Sequence, residues 1–527
     1  MPQTRTGAAR NHPTPCAGAR PDVRAADRDR IAAMDPARSG VRLAAMATPL
    51  DVPLVPLSVA SRRHTDGAQH LVHDRWTGEL VARVVLADAA RAAEATAASV
   101  VAFERMRALK AYERRDLLRR VAQGIQAKSE ELAQTMAAEA GKPIALARGE
   151  VARAVSTFEL ASEEATRIVG EVMRLDVTKV AAAYSGEWVR LPSGPVLGIA
   201  PFNFPLNLVA HKVAPALACG CSIVLKPPPQ APLCALMLGD IVHACGAPDD
   251  ALQVVPCAND VAESMVKDDR FATLSFTGSA KVGWALKALS GKKRVVLELG
   301  GNAAAIVHED ATASWALERI VAGAFGYAGQ VCIKVQRLYV HAPIAERFIA
   351  DLVARASEIV PKDPRDDSAV LSAMIDEGNA KRVEAWVNEA RGQGGKVLCG
   401  GTRDGARYAP TAIAFDDKSG RGTKVVDEEV FGPVLTVHTY DTWDRALAMA
   451  DDTKYGLQAG IFTDSSARIR SAFARMHVGG LIVNDTPTFR VDSMPYGGTR
   501  ESGLGREGVR FAIEDMTERK LLVFRDG

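Results

Sequence analysis

Between Val196 and Leu299 the chain repeats one pattern: a short apolar run, a helix-like stretch, then another apolar run. VLGIAP (196–201), CSIVLK (221–226), LQVVP (252–256), ATLSF (272–276) and RVVLEL (294–299) carry too little polar alternation for strands with one wet face. They read as strands buried on both faces. NLVAHKVAPALACG (207–220) reads as a helix ended by Gly220, and APLCALMLGDIVHACG (231–246) as another. Strands alternating with helices specify a parallel sheet covered on both sides, an α/β fold. In such sheets ligands sit beyond the carboxyl ends of the strands, so the residues that follow each strand carry the chemistry.

Those residues are distinctive. VLGIAP leads into Phe202-Asn203-Phe204-Pro205, and Lys226 closes a strand ahead of Pro227-Pro228-Pro229. ATLSF leads into Thr277-Gly278-Ser279, which opens a helix with Gly283 one turn in. Glu298 nearly closes the fifth strand, just before Gly300-Gly301-Asn302. Upstream, residues 86–139 and GEVARAVSTFELASEEATRIVG carry helical periodicity to about Gly170, and 171–192 alternates like an extended hairpin. HDRWTGELVARV places a turn at Thr77-Gly78 between strand-like pieces.

Bulk properties exclude several classes. A chain of 527 residues is too long for one core. The 65 basic and 63 acidic residues give a net charge of +2, which offers nucleic acid or an acidic membrane no particular attraction. No apolar run approaches the ~20 residues of a membrane span. The eight cysteines follow no CxxC pattern, which points to a reducing compartment, expected to be the cytoplasm. No His/Cys cluster has zinc spacing, so no metal is expected. The first 46 residues, rich in Ala, Arg, Asp and Pro, show no hydrophobic period. They read as a disordered tail or an over-extended start, with Met46 as an alternative first residue. Asp22, Asp27, Asp29 and Asp35 argue against a transit peptide.

Each candidate residue has a plain reading beside the functional one. Thr277-Gly278-Ser279 ahead of a helix offers free N–H groups to a phosphate, or is simply a strand-to-helix turn. Lys226 suits ribose hydroxyls or phosphate, or is a solvated strand end. Glu298, in an apolar strand, is a general base or half of an ion pair. Asn203 stabilises an oxyanion or caps a loop. Glu429 in DEEVFGPV is a site acid or a solvated one. In FGYAGQVCIKVQR (325–337), Cys332 sits beside Gly326 and Gly329, where open backbone gives a thiol a route to a reaction partner.

The order APFNFP, VLKPPPQ, SFTGS, LELGGN, GQVCIKVQR, EEVFGPV and PYGGTRESGLGREG resembles the aldehyde dehydrogenase superfamily, from about residue 50 to the C-terminus. By that resemblance Cys332 is the nucleophile, and Asn203 with the Cys332 backbone N–H holds the oxyanion. Glu298 activates the water that hydrolyses a thioester, and Lys212 with Glu507 relays protons. Lys226, Gly278, Ser279, Glu429 and Phe431 match the cofactor-binding positions, with NAD or NADP as cofactor. Many NAD-preferring members carry a glutamate where this chain has Pro229, so a 2′-phosphate meets no carboxylate there.

The substrate wall is assigned to Asn207, His211, Arg490 and Arg153. A polar tunnel with arginines suggests a small hydroxylated or anionic aldehyde. Lactaldehyde, glyceraldehyde 3-phosphate, sulfolactaldehyde, phosphonoacetaldehyde and succinic semialdehyde are the candidates. Against the anion, Val331 and Ile333 flank the nucleophile where phosphate-handling relatives often carry a basic residue. Arg153 has a plain alternative, an i,i+3 pair with Glu150 on a helix surface.

The resemblance implies a tail over residues 1–49, a Rossmann-like cofactor domain over 50–173 and 193–299, and a catalytic α/β domain over 300–495. Residues 174–192 and 496–527 would build a homodimer or homotetramer, since KLLVF (520–524) wants a partner strand. Two rivals stand beside the hydrolytic dehydrogenase: a CoA-acylating relative, which an acid at position 298 disfavours, and a non-enzymatic scaffold on the same fold.

Overall fold

The computed structural model describes residues 52–415 and 420–525, so the reading of residues 1–49 as a tail falls outside them. The five apolar runs form the expected parallel sheet, in the order Leu252–Val254, Ile223–Lys226, Val196–Ile199, Thr273–Thr277, Arg294–Glu298. The chain winds outward from Val196–Ile199 to one edge, then returns to its other side. That reversal, between Val196–Ile199 and Thr273–Thr277, opens a crevice at the carboxyl ends. The register lines the rim: Ile199 pairs with Lys226 and with Phe276, and Thr277 with Glu298.

All 13 residues of the Asn207–Cys219 helix are buried. Gly220 ends it in the left-handed conformation, φ 91°. Each large apolar side chain buried in such a layer contributes about 1.5–3 kcal/mol relative to exposure. Among the described residues no helix is long and apolar enough to cross a membrane.

A second sheet has seven strands, in the order Lys396–Cys399, Thr411–Ala414, Val434–Tyr440, Arg337–His341, Ala304–Val307, Gln458–Phe462, Gly480–Val483. Only Lys396–Cys399 runs antiparallel to its neighbour. Cys332 precedes Arg337–His341, and Glu429 precedes Val434–Tyr440. Both therefore enter at the amino ends of the second sheet, while Glu298 leaves the carboxyl end of the first.

The hairpin forms Glu171–Arg174 and Tyr184–Pro192, and Thr517–Arg525 pairs antiparallel with the latter. Residues 496–525 do more than extend this hairpin. Gly503–Leu504 adds an antiparallel edge strand beside Arg294–Glu298, and the same segment delivers Tyr496 and Glu507 to the centre of the molecule.

Candidate active site

Cys332 follows a strained turn. Tyr327, Ala328 and Gly329 all have positive φ (52°, 53° and 63°), a conformation non-glycine residues adopt at a cost of order 1–3 kcal/mol. Surrounding contacts hold it: the Tyr327 hydroxyl donates to the Ala140 carbonyl at 3.1 Å and its N–H to Val370 O at 3.0 Å. A side chain at Gly329 would run into the Gly432 carbonyl, so that glycine serves backbone packing rather than ligand approach. Gly326 has an ordinary φ and open space around it, so the structure gives it no such requirement.

The Cys332 Sγ lies 3.1 Å from the hydroxyl of Tyr496. Burial pushes the thiol up to about 12, and the Tyr496 hydroxyl works in the opposite direction. At neutral pH the resting sulfur is therefore a thiol. Among the described residues the Cys332 backbone N–H has no hydrogen-bond partner.

Asn203 is buried, and its Nδ2 donates to the Gln330 carbonyl at 3.0 Å, two residues before the nucleophile. Its loop is held from below by a buried ion pair between Lys142 and Glu150. Lys142 donates to the Asn203 carbonyl at 2.7 Å and lies 3.6 Å from the centre of the Phe204 ring. Glu150 accepts from the N–H groups of Leu206 and Asn207 at 2.9 and 3.0 Å, capping the next helix. Glu150 is therefore not the partner of Arg153, and the proposed i,i+3 surface pair does not form.

Glu298 is buried, and neither carboxylate oxygen has a hydrogen-bond partner among the described residues. Burial, then the charge of Glu507, raises its pKa well above the ordinary value. Glu507 itself goes the other way: burial would raise it, but Lys212 and Arg490 outweigh that and hold it low. Lys212 donates to Thr277 Oγ1 at 2.7 Å and to Glu507 at 3.3 Å, and Arg490 donates to Glu507 at 3.0 Å. Two glycines allow this crowding. A side chain at Gly301 would strike the Cys332 carbonyl, and one at Gly300 the Glu429 carboxylate.

The cofactor-matching residues line the crevice. Lys226 is 5% exposed and, among the described residues, its ammonium makes no hydrogen bond or ion pair. A cation buried without an acceptor fits ribose hydroxyls. Ser279 caps the ten-residue Ala280–Leu289 helix with its hydroxyl exposed, and no side-chain cap bond is formed. Glu429 accepts from the Gly301 N–H at 3.0 Å, and burial raises it to about 7. Phe431, at φ 46°, packs edge-on against Phe202 with ring centres 5.9 Å apart. These features fit a dinucleotide.

The four substrate-wall residues do not form an open polar wall. Asn207 and His211 are each 1% exposed and turn onto one acid, Asp492, at 3.1 and 2.8 Å. Arg153 pairs with the same carboxylate at 2.7 Å. Burial would raise Asp492, but the His211 and Arg153 contacts outweigh it and hold the acid below the usual carboxylate range. Arg490 is buried under the rim, 3.7 Å above the Tyr496 ring. Among the described residues it spends one donor on Glu507 and leaves Nε without a partner.

Sequence reasoning missed Tyr496, Asp492, Lys142 and Glu150. The only local signal was the aromatic residue ahead of the glycine pair in PYGG.

The aldehyde dehydrogenase family profile matches residues 63–522. A 3-sulfolactaldehyde dehydrogenase of Priestia aryabhattai is 42% identical over 415 residues, 78% of this chain and 86% of that protein. Aldehyde dehydrogenase 21 of Physcomitrella patens, solved with the reaction product succinate, superposes with a TM-score of 0.87 at 42% identity, covering 90% of this chain and 98% of that one. A glyceraldehyde-3-phosphate dehydrogenase of Methanocaldococcus jannaschii complexed with NADP gives 0.83 at 34% identity, over 87% and 99%. The chain belongs to the aldehyde dehydrogenase family and is an aldehyde-oxidising oxidoreductase.

Proposed function

We propose that the protein oxidises a small hydroxylated or anionic aldehyde to its carboxylic acid, with NAD or NADP as acceptor. Cys332 loses its proton to Glu298 in its ionised form and adds to the aldehyde carbonyl, giving a hemithioacetal oxyanion. The Asn203 amide and the Cys332 N–H donate to that oxygen. Hydride acceptance is the chemistry a nicotinamide supplies at this centre. Lys226, Ser279 and Glu429 orient the dinucleotide. Glu298 passes the thiol proton outward and, ionised again, takes a proton from the water that opens the thioester. Lys212, Thr277 and Glu507 carry that proton outward.

The observation that carries the hydrolytic reading is Glu298, a buried carboxyl with both oxygens uncommitted. A CoA-acylating enzyme has no water to activate in deacylation, the step that a base held at this position serves. For the substrate, support comes from the uncommitted donors of Arg490 beside Tyr496, within reach of a short anionic tail. The Priestia and Physcomitrella relatives, named for a sulfonated aldehyde and solved with a dicarboxylate, agree with that chemistry. The assay is NADH and NADPH formation against matched anionic and neutral aldehydes, in wild type and Arg490→Ala. Anionic substrates should lose at least ten-fold more kcat/KM than neutral ones; equal losses sink the anion reading.

We also propose a homo-oligomer in the cytoplasm. Leu521, Leu522, Val523 and Phe524 are 45–54% exposed on the Thr517–Arg525 strand, whose outer edge is unpaired among the described residues.

A further inference from the structure

We propose that His308, Glu309 and His341 bind a divalent first-row transition-metal ion at the carboxyl end of the second sheet, remote from the active site. His308 follows the Ala304–Val307 strand and His341 ends the adjacent Arg337–His341 strand. One nitrogen from each imidazole and one Glu309 oxygen lie within 4.8 Å of one another. The spacing of 33 residues between the histidines hides this from any local motif, and the sequence reading expected no metal.

The hydrogen bonds prepare both rings as ligands. His341 Nε2 lies 3.2 Å from the Asp441 carbonyl, which can only accept, so Nε2 carries the proton. That leaves Nδ1 as a bare lone pair, buried and without a hydrogen-bond partner, 3.7 Å from Glu309 Oε2. His308 Nδ1 lies 3.1 Å from Asp310 Oδ1, also an acceptor, so its basic nitrogen is Nε2. Asp310 is balanced by Arg468 at 3.0 Å, leaving it an orienting partner of the His308 ring. The rings stack 4.2 Å apart, the Tyr440 ring packs on His341 at 5.1 Å, and Trp443 meets His308 edge-on at 5.9 Å.

The bare Nδ1 of His341 beside the Glu309 carboxylate, with no donor among the described residues between them, calls for a cation. Imidazole with carboxylate suits zinc, cobalt, nickel or copper. A tetrahedral ion with bonds of about 2.0–2.2 Å needs ligand atoms roughly 3.4 Å apart, so the 4.8 Å cluster must tighten by about 1.4 Å and the stacked rings must turn until both in-plane lone pairs meet the ion. The Glu309 side chain, 48% exposed, is free to supply its part of that movement and leaves an open side for water. The five-residue Arg337–His341 strand separates the cluster from Cys332 by about 16 Å at ~3.3 Å per residue. Its effect should be to tie two neighbouring strand ends together.

The test is titration of the metal-stripped, full-length protein with Co²⁺, followed by optical absorption. We expect one Co²⁺ per chain, with d–d bands and no thiolate charge transfer, unchanged in Cys332→Ser. Glu309→Gln, a surface change that leaves the fold intact, should weaken binding at least ten-fold, and His341→Ala should abolish it. Zn²⁺ should raise Tm in wild type and not in Glu309→Gln. No uptake, uptake indifferent to both ligand variants, or uptake lost with Cys332→Ser would overturn the assignment.

Discussion

Replacing Tyr496 with phenylalanine removes one oxygen and leaves the ring that Arg490 stacks on. The hydroxyl sits 3.1 Å from Cys332 Sγ and is the hydrogen bond that opposes the effect of burial on the thiol. A hydrogen bond to a charged group contributes about 1.5–3 kcal/mol. If that bond stabilises the thiolate, its loss raises the thiol pKa by about one to two units. The thiolate population at any pH below the pKa then falls by roughly ten- to hundred-fold. The assay is the rate of Cys332 alkylation by iodoacetamide in the cofactor-free enzyme, read by intact mass from pH 7 to 10. Because the wild-type thiol sits near 12, its log rate should climb with unit slope and no plateau over that range. The Tyr496→Phe line should run parallel and one to two log units lower, with Tm unchanged. A line that superposes on wild type, or lies above it, refutes the reasoning, because the hydroxyl would then not be donating to sulfur.

Three further outcomes follow from the geometry. Glu298→Gln removes the unpaired base that both steps use, so a slowed single burst of reduced cofactor should be followed by turnover lowered about 10²–10⁴-fold, with a thioester on Cys332 detectable by mass. Exposed Pro229→Glu places a carboxylate near the adenosine ribose site and should lower kcat/KM for NADP roughly ten-fold against NAD, the effect of ~1.4 kcal/mol of like-charge repulsion. Burial raises Glu429 from 4.5 to about 7, so the folded state favours the protonated acid. Its stabilisation is complete below pH 4.5 and lost as pH rises through 7, on the order of 3 kcal/mol. Glu429→Gln keeps an acceptor for Gly301, so the apo variant should gain in Tm on wild type between pH 5 and pH 8 while binding cofactor more weakly. A constant difference across that range would contradict the assignment.

The first sheet was legible because strands buried on both faces must be written in apolar residues, and the residues closing them had nowhere to go but the crevice. Cys332, Asn203, Glu298 and Lys226 were reached that way and through family resemblance. What stayed hidden were pairings between distant segments. Asp492 reads as an ordinary loop acid, yet it takes up the polar groups of Asn207, His211 and Arg153, which reasoning from helix position had pointed into a tunnel. Lys142 and Glu150 look like solvated helix residues, and only the packing of Phe204 and Tyr327 around them makes them a buried support for Asn203. Residue spacing encodes which face of an element is apolar. It does not encode which charge on another element will meet it.

The return of the C-terminal segment to the first sheet also sets a clock on the thiol. Tyr496 is 164 residues beyond Cys332, and Glu507 and the Gly503–Leu504 strand lie further still. At ~5–20 residues per second, a nascent chain carries its cysteine for about 10–30 s before the hydroxyl that tunes it has been made. During that interval the sulfur has neither its hydrogen-bond donor nor the Lys212–Glu507–Arg490 charge cluster beside it. Solvated, that thiol ionises near its ordinary value of ~8.5 and carries more thiolate than it does once burial lifts it to about 12, so closure of the last part of the chain over the sheet edge shields the sulfur as it completes the site.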